Sequence, residues 1–186
     1  MLEYNWINLH SEKEKIELLT DEEEKAIRND LLDTIMEKVE EYNQHITEYE
    51  YAQKRLELVN RGVVFLPLDN SSTIKKNWSR LFASSVGKDE KRKIAYEKYK
   101  WHIFSFEKVN AITKSKARQA FNKCKKEKVY MFYQHSDQAL LIENANLLKA
   151  EDFDLDYDIY IYDPVHKWTY IHTHESECGP YFYQIK

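Results

Sequence analysis

The chain has 186 residues, 42% of them hydrophobic, 32% charged and 14% aromatic, with a formal net charge of -4. That profile excludes a disordered chain, and apolar runs this short exclude a membrane-spanning one. With only Cys124 and Cys178, a disulfide-stapled scaffold is excluded too, and one core, with or without a helical appendage, is expected at this length.

The small net charge hides segregation. Residues 1–60 carry a net -9, residues 61–128 a net +12 and the remainder a net -7. A basic middle between acidic ends is read most simply as segments that attract one another in the folded chain, and alternatively as a nucleic-acid footprint. The opening MLEYNWINLHSEKEK lacks the basic start and apolar block of a signal peptide. With two cysteines, the chain is expected in a reducing cytoplasm.

Thr20 to Asn60 holds neither Gly nor Pro, and Thr20 stands three residues before Glu23 at capping-box spacing. Ile27, Leu31, Ile35, Val39, Tyr42, Ile46 and Tyr49 then recur every three or four residues and form one apolar stripe. Gly62 is placed to end the segment in a left-handed cap. Forty residues is long for one globular helix, so the alternatives are a hairpin broken near Gln44 to Thr47 or a helix that pairs with another chain, with homodimerisation the partner implied. The helical region is bounded at 1–62, and an α+β domain at 63–186.

VVFLPL at 63–68 is predicted as an edge strand or buried loop limited by Pro67. Helices are predicted from Ser71 or Ser72 through Phe82 and from Asp89 to Lys100. WHIFSF at 101–106 alternates like a strand, and ITKSKARQAFNKC suits a helix with Ala117, Ala120 and Phe121 inward. A strand follows at 129–134 and a further strand or turn of helix at 139–142, then a hairpin of DIYIYD and WTYIHTH joined by DPVHK, and a last strand at PYFYQI. The fold class is therefore α+β, with N-terminal helices followed by a mostly antiparallel sheet and one or more covering helices.

WHIFSFEK at 101–108, FYQHSDQALLIENA at 132–145, WTYIHTHE at 168–175 and CGPYFY at 178–183 are unusual strings. Over roughly residues 100–184 the chain resembles a domain-of-unknown-function family of small proteins from spore-forming Gram-positive bacteria. The resemblance implies no activity, cofactor or catalytic residue.

Three constellations carry candidate chemistry. FDLDYDIYIYD, read as a strand from Phe153, sends its apolar positions to the core and leaves Asp154, Asp156, Asp158, Tyr160 and Tyr162 on an outer face. Such a face suits protein recognition, as in an inhibitor or immunity-type module, unless the chain's own basic helices meet the carboxylates. The same aspartates open a calcium-loop pattern, but its glycine and its bidentate glutamate positions fall on Ile159 and Val165.

His172 and His174, two apart on a strand, form the second constellation. With His135 or Asp137 they would present ligands to a divalent ion for hydrolysis, Glu175 acting as base; Cys178 is the corresponding candidate nucleophile. The third is KKNWSR at 75–80 with KDEKRKIAYEKYKWH at 88–102, where Trp78, Tyr96, Tyr99 and Trp101 interleave with lysines in the manner of a single-strand binder. The favoured function is a cytoplasmic, non-catalytic interaction module using the acidic, tyrosine-rich face, with no cofactor, nucleic acid or membrane as partner.

Overall fold

The computed structural model describes residues 8–185. The chain separates into two compact units at Gln53 and Lys54, inside a helix rather than after it.

In the first unit, α1 (Leu9–Glu17) opens on Asn8, whose side chain accepts from the Ser11 amide at 3.1 Å. The next helix, α2 (Glu22–Asn60), is continuous over 39 residues with no break at 44–47. Its cap is Asp21, which accepts from the Glu23 and Glu24 amides at 3.0 and 3.1 Å. The carboxylate outcompetes the Thr20 hydroxyl, and charge adds to geometry at a helix start. Ile16 and Leu32 are the buried side chains among the described residues of this unit. Residues 33–50 are exposed on every side.

In the second unit the last turn of α2 closes as expected at Gly62 (φ +98°). The Val63 amide reaches back to the Leu58 carbonyl at 3.0 Å and the Gly62 amide to Val59 at 2.9 Å, the double bond of a Schellman end. Asp152 then forms ion pairs with Lys54 and Arg61, at 3.2 and 2.6 Å, and ties that turn to the domain.

The described residues form a seven-stranded antiparallel sheet from β1 (Val64–Pro67), β2 (Ile112–Thr113), β3 (Lys128–Tyr133), β4 (Ala139–Glu143), β5 (Ile159–Asp163), β6 (Trp168–His172) and β7 (Tyr181–Gln184), in the spatial order β1-β4-β3-β5-β6-β7-β2. Pro67 lies on the edge strand β1, where a missing amide costs no ladder bond. The β5–β6 turn is held by Asp163, which accepts from the Val165 and His166 amides at 2.7 and 3.0 Å and from the His166 ring at 2.7 Å.

Both faces of this sheet are covered. On one, α3 (Ser71–Phe82) brings Trp78 and Phe82, and the short α5 (His102–Ser105) with the residue before it brings Ile103 and Trp101, onto Phe132, Tyr160, Tyr162 and Ile171; α4 (Lys88–Lys93) lies between them in the chain and buries no side chain of its own. On the other, α6 (Lys114–Lys123) lays Ala117 and Phe121 against Met131, Ile159, Ile161, Trp168 and Tyr170. Every residue of β5 is consequently buried. Tyrosine alternates with isoleucine there because the two faces meet two different cores, not because one side is wet.

Burying a phenol requires a partner for its hydroxyl. Tyr160, fully buried, donates to Gln134 Oε1 at 2.8 Å and accepts from the Trp101 amide at 3.0 Å, while its ring stacks on Phe132 at 4.6 Å. Tyr162 donates to the Ile74 carbonyl at 3.3 Å and stacks on Tyr130 at 5.4 Å. Trp78 crosses Tyr160 edge-on at 5.0 Å and donates to Thr169 at 2.8 Å.

Three expected elements differ. Residues 101–106 form α5 and its flanking turns, since Trp101, Ile103 and Phe104 all turn inward. The helix expected to Lys100 stops at Lys93, and Ala95 turns back with φ +49°. The strand expected from Phe153 starts only at Ile159.

Replacing Tyr160 by Phe leaves Gln134 and the Trp101 amide without their shared partner and is expected to cost about 1–3 kcal/mol, read from urea denaturation. Tyr162→Phe, which loses one longer bond, is expected to cost less. Equal stability of Tyr160→Phe and the native chain would contradict the assigned network.

Candidate functional site

The acidic stripe does not form. Asp154 follows a short 3-10 turn and makes a bidentate pair with Arg118 of α6, at 2.6 and 3.1 Å. Asp156 is buried and accepts from the Tyr133 hydroxyl at 2.6 Å. Asp158 is also buried, sits at φ +52°, and accepts from Trp101 Nε1 at 3.0 Å. Tyr160 and Tyr162, expected on the outer face, belong to the core. The physical reason is local: residues 154–158 lie outside the ladder, so the side-chain period of two does not apply, and each carboxylate turns to the nearest donor of its own chain.

What the geometry assembles instead is an aromatic and imidazole cluster at the end of the β5–β6 hairpin. Pairing of Ile159 with His172 carries the chain past the strand ends, where Asp158 and His174 meet. The His174 ring donates through Nδ1 to Asp158 Oδ2 at 2.7 Å, and its Nε2 faces Glu175 Oε1 at 3.7 Å. Tyr99 packs against His174 and His135 with ring centroids 5.0 and 5.2 Å away. His102 stands against Trp101 at 4.5 Å and donates to the Ile94 carbonyl at 2.5 Å, a structural role. A buried carboxylate orienting an exposed imidazole is an arrangement able to relay a proton or meet an anion.

His172 is not part of that cluster. Its ring donates to the Asp156 carbonyl at 2.6 Å and stacks on Tyr157 at 6.0 Å, so the two histidines of the proposed pair have separate partners. Among the described residues no group of three His, Cys, Asp or Glu side chains is placed to hold a metal ion. Nor is either thiol activated. Burial pushes the Cys124 thiol up to about 11, and burial with the neighbouring Glu175 raises that of Cys178. Both cysteines are free, and Cys178 forms the turn before β7.

The basic middle is distributed over the surface, but its aromatics are not. Trp78, Tyr96 and Trp101 are 0–3% exposed and packed in the core, leaving Tyr99 half-buried as the remaining ring of the four. A cleft lined by Lys88, Lys91, Arg92, Tyr96 and Lys98 gathers several of the cations. Base stacking needs open ring faces, which Trp78, Tyr96 and Trp101 do not offer.

The comparison with known proteins gives one assignment. A family described as a domain of unknown function, DUF4275, matches residues 57–182. The chain belongs to that family. No curated protein and no solved structure matches it. The DUF4275 match begins within the last turn of α2 and ends in β7, and so covers nearly all of the second compact unit. The first unit, with the exposed length of α2, lies outside it. Among the described residues no helix is long and apolar enough to cross a membrane.

Two buried carboxylates of the DUF4275 domain have opposite pH signatures. Burial raises Asp156 above its ordinary value of 3.8, with the Tyr133 bond working against the rise. Folding thus favours its protonated form, and this contribution to stability is lost as pH rises from that ordinary value through the folded one. Burial also acts on Asp152, but the Lys149 amide, Arg61 and Lys54 outweigh it and hold the carboxyl below its ordinary value. That contribution is present above the ordinary value and lost as pH falls through the folded one. Asp156→Asn is therefore expected to gain stability relative to the native chain as pH rises from 4 toward neutral, measured by denaturant midpoints at successive pH values, whereas the stability deficit of Asp152→Asn is expected to shrink as pH falls below the ordinary value of 3.8. Parallel pH curves for native and Asp156→Asn protein would contradict the assignment.

Proposed function

We propose that this chain is a protein-interaction module of the regulatory kind, whose contact surface is the apolar line of α2 and not the acidic sheet face. The observation that carries the reading is the exposure of Ile27, Leu31, Ile35, Val39, Tyr42, Ile46 and Tyr49, each 40–65% accessible, on one side of a helix. Large apolar side chains set in a continuous row on a soluble surface mark a place where another chain packs. Helical residues that pack on nothing are also marginal in water, because propagation alone gives little stability. Ion pairs such as Lys38 with Glu41 and the Gln44 to Glu48 bond stand beside or behind that row and leave it apolar.

The spacing of three and four residues fits a helical partner better than a strand or loop, since it presents one row of knobs along the axis. A cytoplasmic setting belongs to the same reading and is supported by two thiols that are both unpaired. The Asp158–His174 pair has no activated thiol beside it, which favours a binding role over nucleophilic catalysis.

Photo-crosslinking side chains placed at Tyr42 and Tyr49 are expected to give discrete protein adducts in native extracts, and the same group at Glu40 or Glu48, off the row, none. Adduct patterns that do not depend on the position along or off the row would contradict the reading.

A further inference from the structure

From the contact surface proposed above, on which this inference rests, we infer that the occupant of the row is a second copy of this chain, paired in parallel and in register as a two-stranded coiled coil. From Ile35 the spacing settles into four, three, four, three through Val39, Tyr42, Ile46 and Tyr49, a period of 3.5 residues. A straight helix packed on a globular face needs 3.6; a strict 3.5 keeps one seam on another helix over several turns. In this heptad Val39 and Ile46 occupy a and Ile35, Tyr42 and Tyr49 occupy d. Branching at Cβ in the a positions favours two strands where d is unbranched at Cβ, as at Tyr42 and Tyr49 though not at Ile35, and polar Gln53 at the following a position restricts register. Leu32, the preceding a residue, is already buried within its own chain, so the open seam begins at Ile35.

The flanking residues select both the partner and its direction. In a parallel, in-register pair each g residue faces the e residue five positions later on the other helix. Leu31 then meets the partner's Met36, Lys38 meets the partner's Asn43, and His45 meets the partner's Glu50. Leu31 and Met36 are 58% and 42% exposed, an apolar flank that a single chain leaves uncovered and this pairing joins. An antiparallel pair centred on Tyr42 would place Lys38 beside the partner's His45 and Met36 beside the partner's Glu50, matching cation with imidazole and apolar with acid. The exposed row with its flanks amounts to roughly 800 Å² per copy, about what one side of a stable interface buries.

The test uses the full chain carrying Cys124→Ser and Cys178→Ser. Light scattering at tens of micromolar is expected to give twice the 22.5 kDa chain mass, and Ile46→Glu to weaken the association by about 100-fold or more by setting a charge in the seam. Adding Tyr49→Cys is expected to give a homodisulfide under mild oxidation, and Glu40→Cys none. Three results would overturn the inference: a monomer at these concentrations, a dimer indifferent to Ile46→Glu, or a disulfide between Ile35→Cys and Tyr49→Cys chains in place of the Tyr49→Cys homodisulfide. A monomer whose α2 crosslinks to a different protein would sink the self-pairing and leave the interaction surface standing. A chain with no row-dependent adduct at all would sink both.

Discussion

The rest of the structure depends on the burial of β5 from both sides. A central strand with a helical layer on each face has no outer surface to offer, so its two sets of side chains belong to two cores. Tyr160 and Tyr162 tolerate that position because Gln134, the Trp101 amide and the Ile74 carbonyl receive or supply their hydroxyl bonds. The rings add stacking and edge contacts with Phe132, Tyr130 and Trp78. With the sheet committed inward, surface chemistry is left to the hairpin end and to α2.

Charge follows the same logic. The acidic third of the sequence meets the basic third largely inside one domain, as Arg118 with Asp154 and Glu151 illustrates. Asp152 gathers Lys54 and Arg61 at the end of α2. Such pairs hold segments in place more than they advertise a docking face, because each carboxylate is already answered by its own chain.

Much of the sheet was legible from pattern. Strand runs at 129–134, 139–142 and around 181–184, the hairpin over 159–172, the helix at 71–82 and the cap at Gly62 each had a local signal strong enough to survive packing. Residues 153–158 misled because alternating aspartate and apolar residues look the same in a strand as in a turn whose acids find separate donors. Trp101 to Phe106 misled because two-residue alternation over six positions does not distinguish a strand from a short helical turn buried on most sides. The Asp158–His174 pair was out of reach of motif reading, although the hairpin register that pairs Ile159 with His172 offered the one signal able to find it. The stripe of α2 was fully legible, yet its lack of a cover within the described residues of its own unit emerged only from the coordinates.

The DUF4275 domain is closed on itself, and the central proposal is that association falls to α2. Hydrogen exchange of the full chain over a dilution series measures both at once. The account predicts slow exchange in β5 at every concentration, and protection of residues 27–49 that fades as the protein is diluted. Protection in α2 that is the same at all concentrations, or exchange in β5 that slows as concentration rises, would contradict it.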